Sequence, residues 1–86
     1  MIPDYRFIVD DAVLEFFDGC TKRQRDELLR IFHGLANNPY QRGEWVQRTR
    51  SGRELQVKTF GRWLIRYWLD DPVIEVRIVD VERLVP

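Results

Sequence analysis

The sequence predicts an α+β fold: an N-terminal strand, an antiparallel helix hairpin, then a three-stranded antiparallel sheet. The order is β-α-α-β-β-β, with both helices packed on one face. Two periodicities carry that reading. Between Arg53 and Arg83, Leu55, Val57, Trp63, Ile65, Tyr67, Ile74, Val76 and Ile78 form one alternating apolar set, the period of strands with one greasy face. Ahead of them, Val13, Phe16 and Phe17, then Leu28, Leu29, Phe32, Leu35 and Ala36, recur at helical spacing. A chain of 86 residues supports one domain, residues 1–86, around a single modest core.

Taken in order, Tyr5–Val9 follows Pro3 and is β-prone, which makes it the first strand. Asp10 or Asp11 suits the cap of the first helix, and Gly19 suits a left-handed residue that ends it. Thr21-Lys-Arg-Gln24 has the form of a capping box, so the second helix starts there and runs until Asn37-Asn-Pro39 stops it. So short a link between two helices makes a hairpin. Tyr40–Arg53 holds Gly43 and Gly52 and keeps no period, so it reads as loop with a strand around Trp45. Strand parity then sets the connections. Keeping Val57 and Ile65 on one face needs an odd loop, met by Phe60-Gly61-Arg62, and keeping Ile65 with Ile78 needs an even one around Asp70–Val73.

The other parity carries the chemistry. Lys58, Arg62, Arg66, Arg77 and Arg83 fall on it, which predicts a row of cations on the open face of the sheet. Planar guanidiniums held on rigid strands suit phosphate oxygens, with Arg53, Arg66 and Arg77 as candidate phosphate contacts. Lys58 is a candidate proton donor or acceptor. The plain alternative is a solvated sheet face with cross-strand ion pairs, such as Arg66 with Glu75. Leu64, Trp68 and Val79 share that face, and Trp45 lies in the preceding loop. Leu64, Trp68 and Trp45 are therefore expected to meet a partner.

Charge is local. The 14 basic and 14 acidic residues cancel, yet Gln41–Leu69 holds seven bases against two acids, net +5. One histidine and one cysteine cannot make a zinc site, so no metal is expected. His33 falls on the helical side, and Cys20 reads as a small apolar filler with no partner for a disulfide. No Gly-rich phosphate loop and no Ser–His–acid set occurs, so no cofactor is expected. The chain has no run of about 18 apolar residues and no signal-peptide pattern, which points away from the membrane and towards the cytoplasm.

Four stretches together resemble the RelE/ParE superfamily of toxins from bacterial type II toxin–antitoxin systems. They are the helix end Leu35-Ala-Asn-Asn-Pro39, Arg53-Glu-Leu-Gln-Val-Lys58, Gly61-Arg-Trp-Leu-Ile-Arg-Tyr67, and Val73-Ile-Glu-Val-Arg-Ile-Val-Asp-Val-Glu-Arg83. The resemblance covers nearly the whole chain. It implies a small antiparallel sheet with a helix hairpin on one face. It also implies growth arrest by ribosome-dependent mRNA cleavage, with Arg62, Arg83 and Lys58 as the catalytic residues. Arg62 is similar to the arginine that opens the family's central strand, and Arg83 to the one after its last strand. The implied partners are an acidic antitoxin and mRNA on the ribosome. The alternative is a ParE-like member, which inhibits DNA gyrase without a catalytic set, or a non-catalytic relic that only binds its antitoxin.

Overall fold

The computed structural model describes residues 5–84. Strand β1 (Arg6–Val9) leads into helix α1 (Asp11–Asp18) and helix α2 (Lys22–Asn37). Strands β2 (Trp45–Arg48), β3 (Glu54–Phe60), β4 (Trp63–Asp70) and β5 (Glu75–Arg83) follow, with a 3₁₀ turn at Asp71–Val73 before the last. The fold is α+β in the predicted order. Pro3 lies outside the described residues. No helix among them is long and apolar enough to cross a membrane.

Local chemistry fixes the helix ends. The hydroxyl of Thr21 accepts from the Gln24 backbone N–H (3.2 Å), and the Gln24 amide oxygen accepts from the Thr21 N–H (2.9 Å). The capping box is therefore complete. Asp10 stands at the α1 cap position but makes no side-chain cap bond. Gly19 closes α1 with φ −88°, in the right-handed region, so the left-handed ending expected there does not occur. Thr21 restarts the helix two residues on, and the chain has no need of a sharper reversal.

The sheet has five strands in the order β1-β5-β4-β3-β2, and β1 runs parallel to β5. It is thus a mixed sheet, wider than the three antiparallel strands expected. Phe7 and Val9 pair with Val76 and Ile78, so β1 extends the apolar face that the helices cover. The core joins Val13, Leu28, Phe32 and Leu35 of the helices to Trp63, Ile65, Tyr67, Val76, Ile78 and Val81 of the strands. Phe17 stacks on Phe32 at 5.9 Å, and Phe16 meets Trp63 edge-on at the same separation. Each fully buried core side chain, such as Phe32 or Ile65, contributes roughly 1.5–3 kcal/mol of transfer free energy, while Phe16 and Phe17 are only partly buried.

Two irregularities reverse the assignment of faces. Phe60 pairs with Trp63, so the β3–β4 turn is only Gly61-Arg62, with Gly61 at φ +61°. An even turn puts Lys58 opposite Ile65 on the helix side, and Leu55 and Val57 on the other face. The second irregularity is a bulge in β5. Arg66 pairs with Asp80 while Tyr67 pairs with Ile78, leaving Val79 as the extra residue. Beyond it the parity flips. Val81 joins the core, and Arg83, which pairs with core Trp63, faces the helix side as well. Ile74, assigned to the alternating core set, instead sits in the turn before β5 in the left-handed region (φ 57°).

Candidate functional site

On the open face the arginines of β4 and β5 are held by carboxylates. Arg66 donates through Nε to the Gln47 amide oxygen (2.9 Å) and through Nη1 to Asp80 (2.8 Å) and Glu82 (3.1 Å). Beneath it lie Leu55, Val57 and Leu64, and Leu64 is only 7% exposed, so it is not the exposed contact that the sequence suggested. Arg66 stands directly beside Val57 on the adjoining strand, so its stem covers apolar surface while its head meets carboxylates. Arg77 bonds Glu75 (3.3 Å) and approaches Asp10 (3.8 Å), and its buried Nε has no partner. Arg66 and Arg77 therefore hold carboxylates where phosphate contacts were expected. Cross-strand pairing wins on this face, through Asp80 and Glu82 and not Glu75.

The three residues singled out for catalysis leave the open face. Arg62, in the tight turn, donates to Glu27 of α2 (2.8 Å), which also accepts from Trp63 Nε1 (3.0 Å). Those two bonds, Arg62 first, hold the Glu27 carboxyl below the ordinary glutamate value. Arg83 lines a hollow beside Glu15, Cys20 and Gln24. Lys58 donates to the Gln41 amide oxygen at 2.7 Å. Lys58 stands on β3 opposite Ile65 and Arg83 on β5 opposite Trp63, with the central strand between them, while the Arg62 carbonyl accepts from Leu84 N–H (2.7 Å) at the Arg83 end. The cause of that placement is the even turn and the bulge, neither visible in an alternation count.

A different group converges. The chain from Pro39 to Glu44 crosses the end of the sheet and leaves a groove lined by Tyr40, Arg42, Trp45, Val46, Arg53 and Trp68. Trp45, Arg53 and Trp68 are sequence-predicted residues, and the groove brings them together. Tyr40 and Arg42 were missed. Their only trace in the sequence is an aromatic and a cation after Pro39 in an irregular stretch, where function often resides. Tyr40, Trp45 and Val46 are 64%, 48% and 51% exposed, a cluster of large apolar groups open to solvent.

The groove wall is fixed by its backbone. Gly43 N–H donates to the Gln56 amide oxygen (2.9 Å), and Glu44 N–H donates to Val57 O (2.8 Å). The Glu44 carboxylate accepts from the Thr59 backbone N–H (2.8 Å) and hydroxyl (2.6 Å). A Cβ on Gly43 would stand 2.5 Å from Val57 O, so only glycine allows this approach. Tyr67 Oη donates to Gln41 O (2.9 Å), and burial pushes that phenol up to about 12. At the other end, Tyr5 Oη donates to Asp71 (2.6 Å) and meets Tyr40 Oη at 2.8 Å. Those hydrogen bonds, that to Asp71 first, hold the Tyr5 phenol well above its ordinary value.

No family model, no curated protein and no solved structure matches the chain. The site must therefore be read from its own chemistry. Among the described residues, Arg42, Arg53 and Lys58 have no carboxylate at salt-bridge distance, whereas Arg48, Arg62, Arg66 and Arg77 do. Arg50 is likewise without one; Arg42 and Arg53 line the groove beside Glu44 and Glu54, the latter paired with Arg48, and Lys58 stands off its lining, joined to it through Gln41. No cluster of three or more histidine, cysteine or acidic side chains able to hold a metal occurs among the described residues.

Proposed function

We propose that this chain is a RelE-like toxin of a type II toxin–antitoxin pair that halts translation by cutting mRNA on the ribosome. The observation that supports it most is the company kept by the unpaired cations: Arg42 and Arg53 line one groove with Tyr40, Trp45 and Trp68. Single-stranded RNA offers phosphates to guanidiniums and base faces to aromatic rings in just such alternation. Lys58 bonds a neutral amide, that of Gln41, and no carboxylate among the described residues, which leaves its ammonium to meet a scissile phosphate. In the reaction the ribose 2′-oxygen passes its proton to solvent water and attacks the adjacent phosphorus, and the departing 5′-oxygen takes a proton from solvent. The bond to the 5′-oxygen breaks, leaving a 2′,3′-cyclic phosphate and a 5′-hydroxyl. Lys58 neutralises charge on the phosphoryl oxygens, and Arg42 and Arg53 hold the flanking phosphates.

An acidic antitoxin fits the same surface, since it would cover Tyr40, Trp45 and Val46 and neutralise Arg42 and Arg53 together. The separation of Lys58 from Arg83 across β4 favours one competing reading, a ParE-like gyrase inhibitor that needs no catalytic set. Induced expression in bacteria separates them. Collapse of protein synthesis with cut mRNA, lost in Lys58→Met, is the expected result. Gyrase-linked DNA breaks with intact mRNA would sink the nuclease reading.

A further inference from the structure

The Arg53 guanidinium lies over the Trp68 ring, its central carbon 3.6 Å from the ring centroid. That is stacking distance, on a half-buried ring at the groove. Arg77, on the neighbouring strand, stands 6.0 Å from the same ring but is tied to Glu75 and Asp10. Arg53 has no carboxylate among the described residues. Its backbone is nevertheless pinned: its N–H donates to the Thr49 hydroxyl (3.2 Å), and its carbonyl accepts from Thr49 N–H (2.8 Å), across a turn containing Gly52 at φ +86°. A fixed backbone with an untethered planar head makes a movable cover over an aromatic face. A ligand that is planar and carries a negative charge within reach of the displaced head would replace the stacking and add an ion pair.

A nucleotide meets both conditions. We infer that Trp68 is the base-stacking platform of the groove and that Arg53 is its cover. A single-stranded base takes the ring face, and Arg53 swings to the adjoining phosphate. This rests on the RNA reading above and names the part of the site that grips the substrate away from the scissile bond. Duplex RNA is refused, because its bases are already stacked and paired.

Fluorescence anisotropy with a labelled single-stranded RNA octamer tests the inference in wild type, Trp68→Leu, Trp68→Phe and Arg53→Ala. Wild type should bind the octamer and ignore a duplex of the same sequence. Trp68→Leu should weaken binding roughly tenfold, and Trp68→Phe should largely keep it. Arg53→Ala, an exposed side chain whose loss leaves no buried charge, should lower the slope of log affinity against log salt by about 0.7. Octamer binding unchanged in Trp68→Leu overturns the platform. So does equal binding of the duplex, no binding by wild type, or capture of a glutamate-rich peptide in place of RNA. A parallel assay of mRNA cutting on programmed ribosomes keeps the two ideas apart. Trp68-dependent octamer binding without cutting removes the nuclease and leaves the platform, and cutting with Trp68-independent binding does the reverse.

Discussion

Lys58 stands directly opposite Ile65 across the β3–β4 pair, on the side of the sheet that carries the helices. Arg66, one residue further along β4, faces the other way into Asp80 and Glu82. Two cations close in sequence therefore have different work. Lys58→Met should abolish growth arrest with the melting temperature almost unchanged, since its one polar partner is the solvent-reachable Gln41 amide. Arg66→Ala should cost roughly 1–3 kcal/mol of stability, because it leaves Asp80 and Glu82 unpaired and uncovers Val57 and Leu64. Thermal melts beside a growth assay check both. A Lys58→Met protein that still arrests growth would remove Lys58 from the chemistry.

Glu27 links α2 to the β3–β4 turn through Arg62 and Trp63. Its carboxyl titrates below the ordinary glutamate value in the folded state, so it binds a proton less readily folded than unfolded. The stability it supplies is complete above the unfolded-state value and is lost as pH falls through the depressed folded one. Glu27→Gln should therefore melt below wild type at neutral pH. The two curves should converge as pH drops below about 4. A constant gap across that range would show that the carboxylate's charge is irrelevant.

Glycines on this chain should respond in opposite directions. Gly34 lies inside α2, and a Cβ there meets nothing within 4 Å, so Gly34→Ala should stabilise by about 0.5–1 kcal/mol. Gly61 also has open space but sits at φ +61°, where a side chain is strained, so Gly61→Ala should cost about 1–2 kcal/mol. Gly43→Ala should be the most damaging, since the new carbon collides with β3 backbone and pushes the groove wall away. It should reduce both melting temperature and RNA binding.

Ile65 and Phe32 are fully buried where the central strand meets α2. Either one replaced by alanine should lose about 2–5 kcal/mol, through transfer free energy and the cavity left behind. Chemical denaturation measures this directly. A loss under 1 kcal/mol at both sites would contradict the packing described.

By itself the sequence determined what is local. The order of helices and strands follows from the 3.6 and 2.0 periods, and the start of α2 from Thr21 and Gln24. Alternation within each strand follows too: Ile65 and Tyr67 do share a face, as do Leu64 and Trp68. Tertiary structure decided how one strand's parity relates to the next. That relation depends on a single residue: a two-residue turn at Gly61-Arg62 in place of three moves Lys58 to the helix side, and one extra residue at Val79 turns Arg83 away. Neither a turn length nor a bulge has a strong propensity of its own. Both are settled by which register buries most apolar surface across neighbouring strands. For the same reason, the groove that gathers Tyr40, Arg42, Trp45, Arg53 and Trp68 exists only once Gly43 has docked the loop against Val57.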